Sequence, residues 1–229
     1  MKKFLAMALV MALVCSFAGC CCTLPFTEEI DSPQNDMQLV EGTVPTDRFV
    51  EVSRELTRGM VIGNEYYSDF NGLTFTAPSD WVFASDEEIM AAMELGIEIA
   101  YDNSAFQDAI VNMTTIFDMM ATGPDGSNIN IVYENLALTG NQGISDVEYA
   151  ELVKSQLEAN TALEYQVDDY FSNVCLCGQA FTAVRADVNY LGVEMEQIYY
   201  MCRMDDYMCS VIVTCLGDTT IADIEACFG

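Results

Sequence analysis

Histidine is absent from all 229 residues. That excludes Ser-His-Asp and Cys-His catalysis and every histidine-ligated metal site. It also removes the usual general base near neutral pH, although carboxylate catalysis remains possible in principle. Positive charge is nearly as scarce. Eight Lys and Arg face 36 Asp and Glu, for a formal net charge of −28. Nucleic-acid binding rests on Lys and Arg neutralising phosphates, so that class of partner is excluded. Anionic lipid surfaces are repelled for the same reason. Long apolar runs are missing beyond the first residues, so no later segment supplies the ~20 apolar residues that a spanning helix needs.

What is present begins at the N-terminus. Lys2 and Lys3 precede an uncharged apolar run, Phe4 to Val14, and then Ser16-Phe17-Ala18-Gly19-Cys20. The length and flanks are those of an export signal rather than a membrane span. The small pair Ala18-Gly19 running into a cysteine resembles the bacterial lipobox, whose cysteine is acylated and becomes the new N-terminus. Phe17 departs from the Leu usual at that position, and Cys21 and Cys22 leave the anchor open by one or two residues. Residues 1–19 are therefore expected to be a lipoprotein signal peptide and Cys20 the lipidation site. The bilayer then holds the chain through acyl chains worth ~0.8 kcal/mol per buried CH2. Loss of Lys2 and Lys3 with the leader takes the net charge from −28 to −30. The expected address is the extracytoplasmic face of a cell membrane.

Residues 20–57 read as an acidic tether, with Pro25, Pro33 and Pro45 and no sustained periodicity. Residues 58–229, about 170 residues, fit one domain with a real core. Asn71-Gly72 is a hairpin signal between Asn64–Tyr67 and Leu73–Thr76. Ser85 with Glu88 and Ser145 with Glu148 are capping boxes. They open helices predicted to run to Leu95 and to about Asn160, the second burying Tyr149, Leu152, Val153 and Leu157. A further helix is expected over Ala105–Val111. Thr115–Thr122 and Asn128–Leu138 read as strands around the turn Gly123 to Ser127. Tyr165–Asp169, Ser172–Cys177, Gln179–Asn189, Val193–Arg203 and Tyr207–Leu216 follow as strands, and Thr219–Phe228 as a last helix. Hairpins grouped with helices, without βαβ alternation, predict an α+β domain: an antiparallel β-sheet with helices packed on its faces.

Several of these segments recur together elsewhere. Gly63-Asn64-Glu65-Tyr66, Gly72 through Trp81, Asn130 through Leu136, Gln197-Ile198-Tyr199-Tyr200 and Asp206-Tyr207-Met208 follow one another in order. The series resembles surface lipoproteins of gut Firmicutes, a family of unknown function. The resemblance implies a PsbP/DcrB-like α/β/α sandwich from about Arg58 to the end. It transfers no catalytic residue, because that fold serves as an accessory or binding module.

The candidate sites are few. If Asp205-Asp206 is a two-residue turn, Cys202 lies opposite Cys209, near disulfide range. Reduced core thiols, a bridge, and metal or redox chemistry all stay open for this pair, with reduced thiols favoured. Cys175 and Cys177 share a strand face and are poor partners for each other. Asp125-Gly126-Ser127-Asn128 offers oxygen ligands and a glycine as calcium loops do, but a hairpin turn explains it. Asp168-Asp169 and Asp205-Asp206 read as solvated turn acids. Met90, Met93, Met119, Met120, Met201 and Met208, with Tyr199, Tyr200 and Tyr207, read as core, with a groove between the sheet and the Asp86–Ala100 helix as the minority reading. No catalytic residue, metal or cofactor is expected. The sequence is read as a non-enzymatic binding or interaction module, with a structural or accessory subunit of a cell-envelope complex, and behind it a carboxylate- or thiol-dependent enzyme, as the alternative readings. Its expected partners are the membrane, through the lipid, and an unknown envelope protein or small ligand.

Overall fold

The computed structural model describes residues 55–229. The expected leader, Cys20 and most of the expected tether lie outside the described residues. The fold is α+β, built on two antiparallel sheets. Strands β1 (Met60–Ile62), β2 (Glu65–Tyr67) and β3 (Thr74–Thr76) form a small sheet. The large sheet contains β4 (Val82–Phe83), β5 (Thr115–Thr122), β6 (Asn128–Asn135), β7 (Glu164–Val167), β8 (Ser172–Leu176), β9 (Gln179–Tyr190), β10 (Val193–Met204) and β11 (Tyr207–Cys215). Its order is β4-β5-β6-β11-β10-β9-β7, with β8 also paired to β9. The helices are α1 (Asp86–Ala92), α2 (Asn103–Ile110), α3 (Leu136–Thr139), α4 (Asp146–Ala159) and α5 (Ile221–Glu225), with a 3-10 turn at Ile97–Tyr101.

Strand alternation shows how the layers are arranged. Tyr133 and Glu134 are neighbours in β6 and so point to opposite faces. Tyr149 of α4 hydrogen-bonds Glu134, whereas Asn71 and Phe70, from the loop between β2 and β3, meet Tyr133. Helix α4 and the small sheet therefore cover opposite faces. Helix α5 lies on the small sheet's side, where Glu225 accepts from Tyr200 Oη. With both faces covered, the middle strands are buried almost end to end rather than alternately. The core begins earlier than Arg58, because Leu56 is buried and its carbonyl accepts from the Gln107 side chain.

Both capping boxes form as read. In α4, Ser145 Oγ accepts from Glu148 N at 3.2 Å and Glu148 Oε2 accepts from Ser145 N at 2.9 Å. Ser145→Ala is expected to cost about 1 kcal/mol, measured as a shift in urea midpoint at unchanged slope. A shift below a fifth of that would mean that packing alone fixes the start of α4.

Four local readings are corrected. The strand predicted through Leu138 ends at Asn135, because the Asn135 side chain caps Ala137 N–H and starts α3. The buried stripe of α4 contains Ala150 in place of Leu152, which is only half-buried. The first helix stops at Ala92. The last helix stops at Glu225, and Phe228 instead pairs with Phe75 of β3.

Candidate functional site

The turn at Asp205-Asp206 sets Cys202 opposite Cys209. Both are free thiols, as are the other four cysteines of residues 55–229. Burial pushes the pKa of both up, so little reactive thiolate exists near neutral pH. Cys202 Sγ accepts from the Gln179 side chain at 3.0 Å. Cys177 does not share a strand face with Cys175. It sits at φ 50 in a turn, where Sγ meets the Thr74 N–H at 3.3 Å and the Thr74 carbonyl at 3.4 Å, fastening the β8–β9 hairpin to β3.

The Asp125 loop is a hairpin turn whose carboxylate is already occupied. It accepts from Ser127 N at 2.9 Å, Ser127 Oγ at 3.0 Å and Thr219 Oγ1 at 2.7 Å. Burial pushes its pKa up, but the hydrogen bonds from Thr219 and Ser127 outweigh burial and hold it below the usual range. A cation would have to displace all three donors. Asp168 and Asp169 bind Lys154, through the Asp168 carbonyl and the Asp169 carboxylate. Asp205 occupies a left-handed turn position. These acid pairs are not brought together. Among the described residues no three His, Cys, Asp or Glu side chains gather in a way that could hold a metal ion.

All six singled-out methionines are buried, as are Tyr199 and Tyr200. A cavity does lie against the large sheet, but under α4 rather than under the Asp86–Ala100 segment. Thr115, Glu134, Tyr149, Tyr199, Met201 and Ser210 are among its lining residues. Its volume is about 20 Å³, room for about one water. Small-molecule sites run to hundreds of Å³.

The most developed polar cluster is one that sequence reasoning missed. The β5–β6 register shifts between Phe117 and Met119, so Asp118 is the extra residue of a β-bulge. It is 3 % exposed. Asp118 Oδ1 accepts from Gly59 N at 2.7 Å, and Oδ2 accepts from Tyr66 Oη at 2.6 Å and Tyr133 Oη at 3.3 Å. The Asn71 amide donates to both tyrosine oxygens, at 3.0 and 2.7 Å, and its carbonyl accepts from Leu73 N. Arg58 stands beside this group and donates to Asp86 at 3.0 Å. Burial raises the Asp118 pKa above the ordinary carboxylate range, against the lowering effects of Tyr66, Gly59, Arg58 and Tyr133. Burial also raises both tyrosines, with the Asp118 charge adding to it. The cluster is buried, and it fastens the segment at Gly59 and the small sheet to the large one. The signal for it was an acid in the middle of the apolar strand Ile116–Ala121.

One surface stands out from this closed interior. Met60 and Ile62 of β1 are 62 % and 64 % exposed, and Val61 and Tyr67 beside them are also exposed. No family model matches the chain, and no curated protein matches it either.

Proposed function

We propose that the chain is an exported lipoprotein, held by an acylated Cys20 on the extracytoplasmic face of a cell membrane. There it acts as a non-enzymatic interaction module. The Lys2-Lys3, apolar, Ala18-Gly19-Cys20 leader carries the address. The resemblance to the Firmicutes surface lipoproteins, with their PsbP/DcrB-like domain, supports the role. A net charge of −30 once the leader is removed keeps a tethered domain off an anionic bilayer and within reach of other envelope components. Between the two partner classes, the one-water cavity under α4 favours a protein met at the surface over a small ligand enclosed in a pocket.

Cys20→Ser is expected to move the protein from the membrane fraction to the soluble one and to remove acyl mass from the intact chain. Native mass spectrometry of protein released from its own membrane reads both changes. An unlipidated wild-type chain starting elsewhere would overturn the address. A discrete non-covalent small-molecule adduct would overturn the preference for a protein partner.

A further inference from the structure

Among the described residues three sheet edges are blunted, and the outer sides of β8 and β1 have no strand partner; β8 reads Ser-Asn-Val-Cys-Leu, whereas β1 is wholly apolar. Edge strand β4 has two residues. At the opposite end of the large sheet, β7 carries Glu164 and runs into Asp168-Asp169, which Lys154 holds. The outer side of β3 is covered by the C-terminal residues: Thr76 N donates to the Cys227 carbonyl at 2.9 Å and Gly229 N to the Thr74 carbonyl at 3.3 Å. The outer side of β1 has no such cover among the described residues. Natural sheets protect edges with charge, proline, bulges or covering segments. Strand β1, three residues long against two in β4, reads Met-Val-Ile and has no charge, proline or bulge.

The register fixes what this edge offers. Gly63-Asn64 is a two-residue loop, with Gly63 at φ 66, and Ile62 pairs with Glu65. Hydrogen-bonded and non-hydrogen-bonded pairs alternate from that closing pair. Ile62–Glu65 and Met60–Tyr67 are therefore bonded inward, and the Val61 N–H and carbonyl point away from the sheet. Met60 and Ile62 share one face with Tyr67 and Glu65, by the two-residue period of the strands. The result is an outward donor and acceptor beside three exposed apolar side chains, with the Glu65 carboxylate next to them, one of its oxygens accepting from Tyr67 Oη and the other left for a basic partner.

Charge narrows the occupant. The four basic side chains of residues 55–229 are all engaged: Arg58 with Asp86, Lys154 with Glu158 and Asp169, Arg185 with Glu196, and Arg203 with the Asp205 carbonyl. A second processed copy brings the same −30 and is repelled. We infer that β1 is a docking edge for an extended segment of another protein, apolar on one face and bearing Lys or Arg opposite Glu65. This rests on the interaction-module reading. Main-chain pairing at Val61 supplies affinity, and the Met60–Ile62–Tyr67 face with Glu65 supplies selectivity.

The test places a photo-reactive side chain in the full chain in its own envelope, as Ile62→p-benzoylphenylalanine, with Leu191→p-benzoylphenylalanine as a distant exposed control. The captured peptide is mapped by fragment mass spectrometry. The expected product is a segment of another protein with Lys or Arg within two or three residues of the cross-link. Capture should fall at least tenfold when Val61→Pro removes the outward N–H, and severalfold in about 1 M salt, which screens charges beyond ~3 Å. Unchanged thermal unfolding of Val61→Pro confirms that it folds. Capture that survives Val61→Pro, an acidic captured segment, or cross-links to residues of this same chain would each overturn the docking edge. Capture from position 191 but not from position 62 overturns the edge and leaves the interaction module standing. Capture from neither position overturns both.

Discussion

Asp118→Ala is expected to destabilise the domain by about 3–5 kcal/mol, the range for removing one partner from a buried charged network. The substitution leaves Gly59 N–H and the Tyr66 and Tyr133 hydroxyls without their acceptor at a position 3 % exposed. Chemical unfolding at pH 7 measures the loss, and a value under about 1 kcal/mol would show that the cluster contributes shape alone. Asp118→Asn keeps the shape and one acceptor, and it carries the pH prediction. The folded pKa of Asp118 lies above its unfolded value, mainly through burial. Below the unfolded value, near pH 4, both states are protonated and ionisation costs nothing. As pH rises from there through the folded value, the unfolded state releases its proton first, so the wild type loses stability. Arg58, Tyr66, Tyr133, Cys209 and the neutral Asn71 face Asp118 or its partners, and neither the tyrosines nor the Cys209 thiol ionises in that window, because burial and the Asp118 charge raise them. The advantage of the wild type over Asp118→Asn therefore shrinks with rising pH. A gap that stays level or widens from about pH 4 to pH 8 would contradict the raised pKa.

Gly59→Ala is expected to cost about 2–4 kcal/mol, although glycine to alanine is often stabilising in a chain at large. A Cβ on residue 59 would stand 2.7 Å from Tyr66 Cζ and 2.8 Å from its Oη. Tyr66 is fully buried and its ring has no open space to move into. The methyl group thus pushes the hydroxyl off Asp118, while the Gly59 N–H bonds the other oxygen of the same carboxylate. The two contacts share one partner, so the effects of Gly59→Ala and Asp118→Ala should not add. A double-mutant cycle is expected to give a coupling of at least 1 kcal/mol. Additive losses would mean that residue 59 acts by steric strain alone.

The sequence was most readable where the determinants were local. Both capping boxes are closed by atoms three residues apart, so Ser85-Glu88 and Ser145-Glu148 announced α1 and α4 without tertiary help. Asp205-Asp206 made a turn, and the register it set placed Cys202 against Cys209 as expected. The α+β class followed from hairpins grouped with helices. Errors fell where two local signals competed or a distant contact decided. Asn135 caps a short helix at the end of a β-prone run. Phe228 is drawn from a helical pattern by Phe75, more than a hundred residues away in sequence.

The candidate surfaces divide the same way. Absence of histidine, the −28 charge and the proposed Cys20 leader are read from composition and contiguous residues, and they bear on chemistry and on the proposed address with no fold at all. The closed Asp118 cluster draws on Gly59, Tyr66, Asn71 and Tyr133, and only the bulge at Asp118 turns that acid toward them. The open edge at β1 depends on which strands end up covered, and the C-terminal residues cover β3 while none of the described residues covers β1. Local sequence determined the elements and the charge, because hydrogen bonds within a few residues and side-chain ionisation need no distant partner. Tertiary structure alone decided which polar groups are buried together and which strand edges stay free among the described residues, because both depend on pairing across the sheet.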